Sequence, residues 1–188
     1  MHDFWGQVFG NNRPVEVEVG AGTGTFVLPA AAANPQINFL AIENSGSRAA
    51  RLEFEVNARQ LKNVVVLHAD AACVLGNVVP DASVSAYHIY FPDPWWKRRH
   101  HRRRLFTQSF AASLARTLAT GCPLHVATDV ADVFERIAAT IAAQTQFVHQ
   151  PTRRSPRTQQ TSFEKKGLRR GAIIHEAVYI RVAADSLD

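Results

Sequence analysis

The stretch from Val15 to Ala33 restricts the fold most. Val15-Glu16-Val17-Glu18-Val19 alternates β-branched and acidic residues, the period-two pattern of a strand. It runs directly into Gly20-Ala21-Gly22-Thr23-Gly24. Thr25 to Ala33 then reads as a helix, closed by Asn34-Pro35. Strand, glycine loop and helix in that order open a nucleotide-binding βαβ unit. The glycines permit a tight turn and a close approach of a ligand to the backbone.

The rest of the chain repeats the alternation. Ile37 to Ile42 reads as a second strand ending at Glu43, about twenty residues past the loop, where an acid reaches a ribose hydroxyl. Ser47 to Leu61 reads as a helix, and Asn63 to Leu67 as a third strand leading to Asp70. Asp70 either caps a helix starting at Ala71 or faces a ligand; both readings stand. Val84 to Tyr90 is an apolar fourth strand, Leu105 to Leu118 a helix, and Leu124 to Ala127 a fifth strand ending at Thr128-Asp129. Val130 to Gln144 is the next helix and Ala177 to Val182 the last strand. Phe4, Trp5, Val8 and Phe9 fit a short amphipathic helix within residues 1–13 that caps the sheet, and Pro151 to Gln160 fits a flexible loop. This order implies one α/β domain over residues 1–188, a doubly wound and mostly parallel sheet. The last strand is expected to run antiparallel, because Gly167 to Glu176 contains no crossover helix.

The fourth strand stops at Phe91-Pro92-Asp93-Pro94, since proline cannot continue a ladder. Asp93 therefore sits beyond a strand's C-terminal end, the edge at which open α/β sheets bind ligands. Trp95 and Trp96 follow, then eight consecutive residues from Lys97 to Arg104 that are all Lys, Arg or His. A charge run is often only a solvated face. Here a carboxylate, two indoles and a cationic block share one loop, and the net charge of +5 favours an anionic partner. The cations concentrate after Lys97 and between Arg153 and Arg170, and no long amphipathic helix carries them, which points to nucleic acid over a membrane surface. Cys73 and Cys122 have no metal-ligand spacing and are expected to be reduced and buried, which with the lack of an apolar leader suggests the cytoplasm.

Those pieces together resemble the bacterial tRNA (guanine-N7)-methyltransferases. The matching residues run in order from Glu18-Val-Gly-Ala-Gly-Thr-Gly through Ile42-Glu43, Asp70-Ala71 and Phe91-Pro-Asp-Pro-Trp with Lys97-Arg-Arg-His-His. Thr128-Asp129 and Thr161-Ser-Phe-Glu164 complete the set. Trp96 and Ser162 depart from the family's usual pattern. The resemblance implies a Rossmann-like class I methyltransferase fold that uses S-adenosylmethionine and no metal. It implies tRNA as partner, a guanosine in the variable loop as target, and a monomer or homodimer. Glu18, Gly20, Gly22, Gly24, Glu43, Asp70 and Asp93 would hold the donor, with Asp93 also catalytic. Lys97, Asp129, Thr161, Ser162, Phe163 and Glu164 would hold the target nucleotide. Arg98, Arg99, Arg102, Arg103 and Arg104 would contact phosphates. Each tryptophan either stacks on the base or belongs to the core. Two readings compete: a methyltransferase of another RNA or small molecule, and a non-catalytic RNA-binding module. An NAD enzyme fits less well, because the glycines follow G-x-G-x-G and not G-x-G-x-x-G.

Overall fold

The computed structural model describes residues 3–94, 105–151, 156, 164 and 171–183. Among them, β1 (Val15–Val19), β2 (Asn38–Glu43), β3 (Val64–His68), β4 (Ala86–Tyr90), β5 (Pro123–Thr128), β6 (Phe147–His149) and β7 (His175–Arg181) form one sheet. Its strand order is β3-β2-β1-β4-β5-β7-β6. The first five pair in parallel, and β7 runs antiparallel to β5 and β6. The doubly wound, mostly parallel sheet with an antiparallel closing strand is the expected fold.

Both faces of the sheet are covered. Val15, Val17 and Val19 point to one face, where they join Leu75 of α4 (Ala71–Asn77), Leu114 of α5 (Gln108–Thr117) and Ile137 of α6 (Ala131–Ala142). Phe39 and Ala41 point to the other, against Val27 and Ala31 of α2 (Val27–Ala33) and Leu52 and Val56 of α3 (Gly46–Ala58). Period-two geometry puts Glu16 and Glu18 on this second face. Leu52, Leu114 and Leu75 are fully buried, and each contributes about 1.5–3 kcal/mol. α1 (Phe4–Phe9) forms where the aromatic residues suggested, capped by Asp3, which accepts from the Gly6 N–H at 3.0 Å. Trp5 and Phe9 rest on the core, and the Trp5 indole donates to the Ser83 carbonyl at 3.0 Å.

Several expectations shift. The helix read from Leu105 begins at Gln108, because Thr107 takes the extended cap conformation and its hydroxyl accepts from the Phe110 N–H. The strand read from Val84 begins at Ala86, with Val84 making a single bridge to Leu118. β6 was not legible: its three residues are too few to display a period. Cys73 is exposed, not buried. Its neighbours Val74 and Leu75 take the inward face of α4 and leave Cys73 to solvent. Cys122 is half-buried. Of the loop read over residues 151–160, all but Pro151 and Pro156 lie outside the described residues. No helix among the described residues is long and apolar enough to cross a membrane.

Candidate active site

Five parallel strands, β3, β2, β1, β4 and β5, end along one edge of the sheet. At that edge lie Asp70 after β3, Glu43 closing β2, the glycine loop after β1, Asp93 after β4 and Asp129 after β5. Sequence reasoning placed each of these at a strand end. The register brings them to neighbouring ends: Val19 lies between Ile42 and Ile89, and Glu43 lies beside His68.

The glycine loop folds back over β2. The Gly20 and Ala21 N–H groups both donate to the Ile42 carbonyl, at 2.8 and 3.1 Å. Gly22 has φ +59, a left-handed conformation that costs a side chain strain, and the space where its Cβ would stand is open. The Gly22 N–H donates to Glu43 Oε2 at 2.8 Å. Glu43 Oε1 accepts from the Ser45 N–H at 2.8 Å and from Arg48 Nε and Nη2 at 3.0 and 2.8 Å. Glu43 is thus a clamp as well as a terminal acid. Arg48 was missed by sequence reasoning, although it sits in the first turn of α3 and its guanidinium reaches back five residues. A carboxylate offers about four acceptor sites, so Oε2 keeps one beyond Gly22.

Glu18 lies beneath this loop. It is 4% exposed, and its Oε2 has no hydrogen-bond partner among the described residues. Burial pushes its carboxyl up to about 8; the Val27 backbone N–H pulls the other way, and the nearby Glu43 charge adds to the rise. A buried orphan acceptor under an open glycine turn is the arrangement expected where a ligand supplies the missing donor. With the Glu18 carboxyl neutral at pH 7 and Glu43 already paired with Arg48, the site favours a ligand that donates to Glu18, and a positive charge brought beside it would draw the carboxyl back toward its ionised form.

Asp70 caps α4: its Oδ1 accepts from the Ala72 N–H at 2.8 Å, and the residue is exposed. Asp93 is exposed. The chain reaches it through Phe91, whose φ of 51° is left-handed although a residue before proline prefers extended backbone. The Phe91 N–H donates to the Ala127 carbonyl at 2.7 Å, which ties the turn to β5. Asp129 is half-buried after Thr128, whose hydroxyl accepts from the Val130 N–H. Glu164 is buried. Trp95, Trp96, Lys97, the five arginines 98, 99, 102, 103 and 104, and Thr161, Ser162 and Phe163 lie outside the described residues.

A methyltransferase family model, Methyltransf_4, matches residues 12–177. The tRNA (guanine-N(7)-)-methyltransferase of Alkalilimnicola ehrlichii is 38% identical over 177 residues, 92% of this chain and 75% of that protein. The protein of the same name from Neisseria meningitidis serogroup C is 35% identical, over 93% of this chain and 74% of its own length. The chain belongs to the tRNA (guanine-N7)-methyltransferase family. Its fold is also that of the 16S rRNA methyltransferase KamB, with a TM-score of 0.71 and 17% identity over 97% of this chain and 94% of that one. Within the family's frame the glycine loop, Glu18 and Glu43 fit a cationic nucleoside donor, on the orphan Glu18 oxygen and the open turn at Gly22.

Proposed function

We propose that this chain transfers the methyl group of S-adenosylmethionine to N7 of a guanosine in tRNA. One observation carries the reading: the glycine loop after β1 and the Asp93 turn after β4 stand on adjacent strands, at the ends where Val19 pairs with Ile89. S-adenosylmethionine, when bound, supplies a methyl group on a sulfonium, an electrophile that needs no metal. The open turn at Gly22 lets a ligand lie against the backbone, and the free acceptor on Glu43 Oε2 suits a ribose hydroxyl. Glu18 and Asp70 complete the donor's surroundings.

Guanine N7 carries an in-plane lone pair and no proton, so no base has to expose the nucleophile. The work is alignment, which supplies roughly 7–11 kcal/mol in well-oriented reactions. Asp93 accepts from the N1–H and N2–H donors of the guanine and stabilises the positive charge that grows on the ring. Lys97, Asp129, Thr161, Ser162, Phe163 and Glu164 hold the target nucleotide, and the arginine block holds phosphates. The finer elements of the reading are a variable-loop guanosine, one domain over the whole chain, a cytoplasmic location and a monomer or homodimer.

The test is direct. Bulk tRNA incubated with the protein and labelled donor is digested to nucleosides, and mass spectrometry is expected to find label in 7-methylguanosine. Label in another nucleoside, or none, overturns the reading. Asp93→Asn keeps the shape and removes the charge; its single-turnover rate at saturating donor and tRNA is expected to fall by roughly 10²–10³.

A further inference from the structure

We propose that Glu16, His88 and Tyr90 form a positioning relay that locks the Asp93 turn to the glycine loop. The inference rests on the methyl-transfer reading, in which those two loops carry the two reactants.

The relay lies on the α2/α3 face of the sheet. Tyr90 is the last residue of β4, one step before the left-handed Phe91 and three before Asp93. His88, two residues back on the same face, is 1% exposed. Its Nδ1 lies 2.9 Å from the Tyr90 hydroxyl and its Nε2 lies 2.8 Å from Glu16 Oε2. The Glu16 carboxylate accepts, so Nε2 carries a proton, and in the neutral imidazole Nδ1 then accepts from the Tyr90 O–H. Glu16 therefore sets the tautomer that orients Tyr90.

Aromatic contacts connect the relay to the glycine loop. Phe26 sits where that loop enters α2. Its ring centroid is 4.3 Å from His88 and 5.1 Å from Tyr90, edge to face on the tyrosine. On the other side His88 stacks flat on His125 of β5, with centroids 5.1 Å apart and planes 2° apart. Burying an imidazole here is costly unless both nitrogens are satisfied, and both are. Apolar side chains of similar size would pack as well, but they would not fix the direction of the Tyr90 ring. What the polar choice adds is a defined distance between the loop under the donor and the turn that presents Asp93. In-line transfer needs that distance, and misplacement of about 1 Å costs on the order of 10²-fold in rate.

Glu16 belongs to β1 and to neither the glycine loop nor the Asp93 turn, so it tests the coupling. Tyr90→Phe removes one hydroxyl, Glu16→Ala removes the orienting acceptor, and Glu16→Gln keeps an oxygen for Nε2–H. All are compared with wild type in single-turnover transfer, at a temperature well below each melting point. Tyr90→Phe and Glu16→Ala are expected to lose about tenfold in rate, with KM for donor and for tRNA within about twofold and Glu16→Gln restored to near wild type. Three results overturn the relay: wild-type rates in both variants, KM rising in step with the loss of rate, or Glu16→Gln as slow as Glu16→Ala. A wild type that makes no 7-methylguanosine overturns the relay together with the function. An active wild type matched by Tyr90→Phe and Glu16→Ala overturns the relay alone.

Discussion

Glu18 is the residue whose chemistry departs furthest from its solution behaviour. An ordinary glutamate titrates near 4.5, whereas burial lifts this one to about 8. Between those values the unfolded chain releases a proton that the folded chain keeps. The folded state then binds more protons than the unfolded state, so this group's contribution to stability falls as pH rises from about 4.5 to 8 and is level outside that window. Complete expression of the shift corresponds to roughly 5 kcal/mol, an upper bound. Glu18→Gln, neutral at every pH, is expected to melt higher than wild type at pH 8 and to lose most of that advantage at pH 5, in the absence of donor. Melting curves of both proteins at pH 5, 6, 7 and 8 check it. A constant difference across the series would place the Glu18 carboxylate in a more polar site than the structure gives it. The acid itself was singled out through the resemblance of Glu18-Val-Gly-Ala-Gly-Thr-Gly to the family's first glycine motif. Its orphaned oxygen was not, because that depends on what α2 and the loop lay over it.

The element that translates sequence into site is the strand, loop and helix from Val15 to Ala33. Its glycines do different jobs. A Cβ at Gly24 would stand 2.4 Å from Leu52 Cδ1 and 2.8 Å from Leu28, where φ is already +86°. Leu52 is wholly buried and has nowhere to move. Gly24→Ala is therefore expected to destabilise the protein by about 2–4 kcal/mol, from overpacking and backbone strain together. Gly22→Ala meets open space and carries the strain alone, about 1–2 kcal/mol. It should instead weaken donor binding, because its methyl group projects into the space over the loop. Urea melts rank the two stabilities and calorimetry with S-adenosylmethionine ranks the affinities. The packing account does not survive if Gly22→Ala proves the less stable of the two. Elements with a long period were legible in this chain because the pattern is local. Boundaries were not: Thr107 cuts α5 short by offering its hydroxyl to the Phe110 N–H, a competition between side chain and helix that apolar spacing does not register.

At the scale of the whole molecule, topology followed from alternation: successive strands separated by helices leave a parallel sheet little choice, and the acids then fall at one edge. What alternation cannot convey is side-chain packing across strands. Glu16, His88 and His125 belong to three different strands, and their meeting is a property of the register. Charge is likewise organised globally. Lys97 to Arg104 carries six lysines and arginines, more than the whole net charge of +5, so the rest of the chain is slightly acidic. Arg153 to Arg170 carries seven more against one acid, so attraction for a polyanion is concentrated in two segments of the sequence, this one and the one that follows Asp93. If that block neutralises phosphates, tRNA affinity falls linearly with salt on logarithmic axes as counterions are released. Replacing Arg103 and Arg104 together by alanine is expected to flatten that line by about one unit for each phosphate left without its arginine, and to weaken binding similarly for every tRNA sequence. Titrations of fluorescent tRNA from 50 to 200 mM salt, about the range in which such ion pairing dominates, measure the slope. A slope identical to wild type would make the arginines a solvated face and move the source of tRNA affinity to the second basic segment, Arg153 to Arg170.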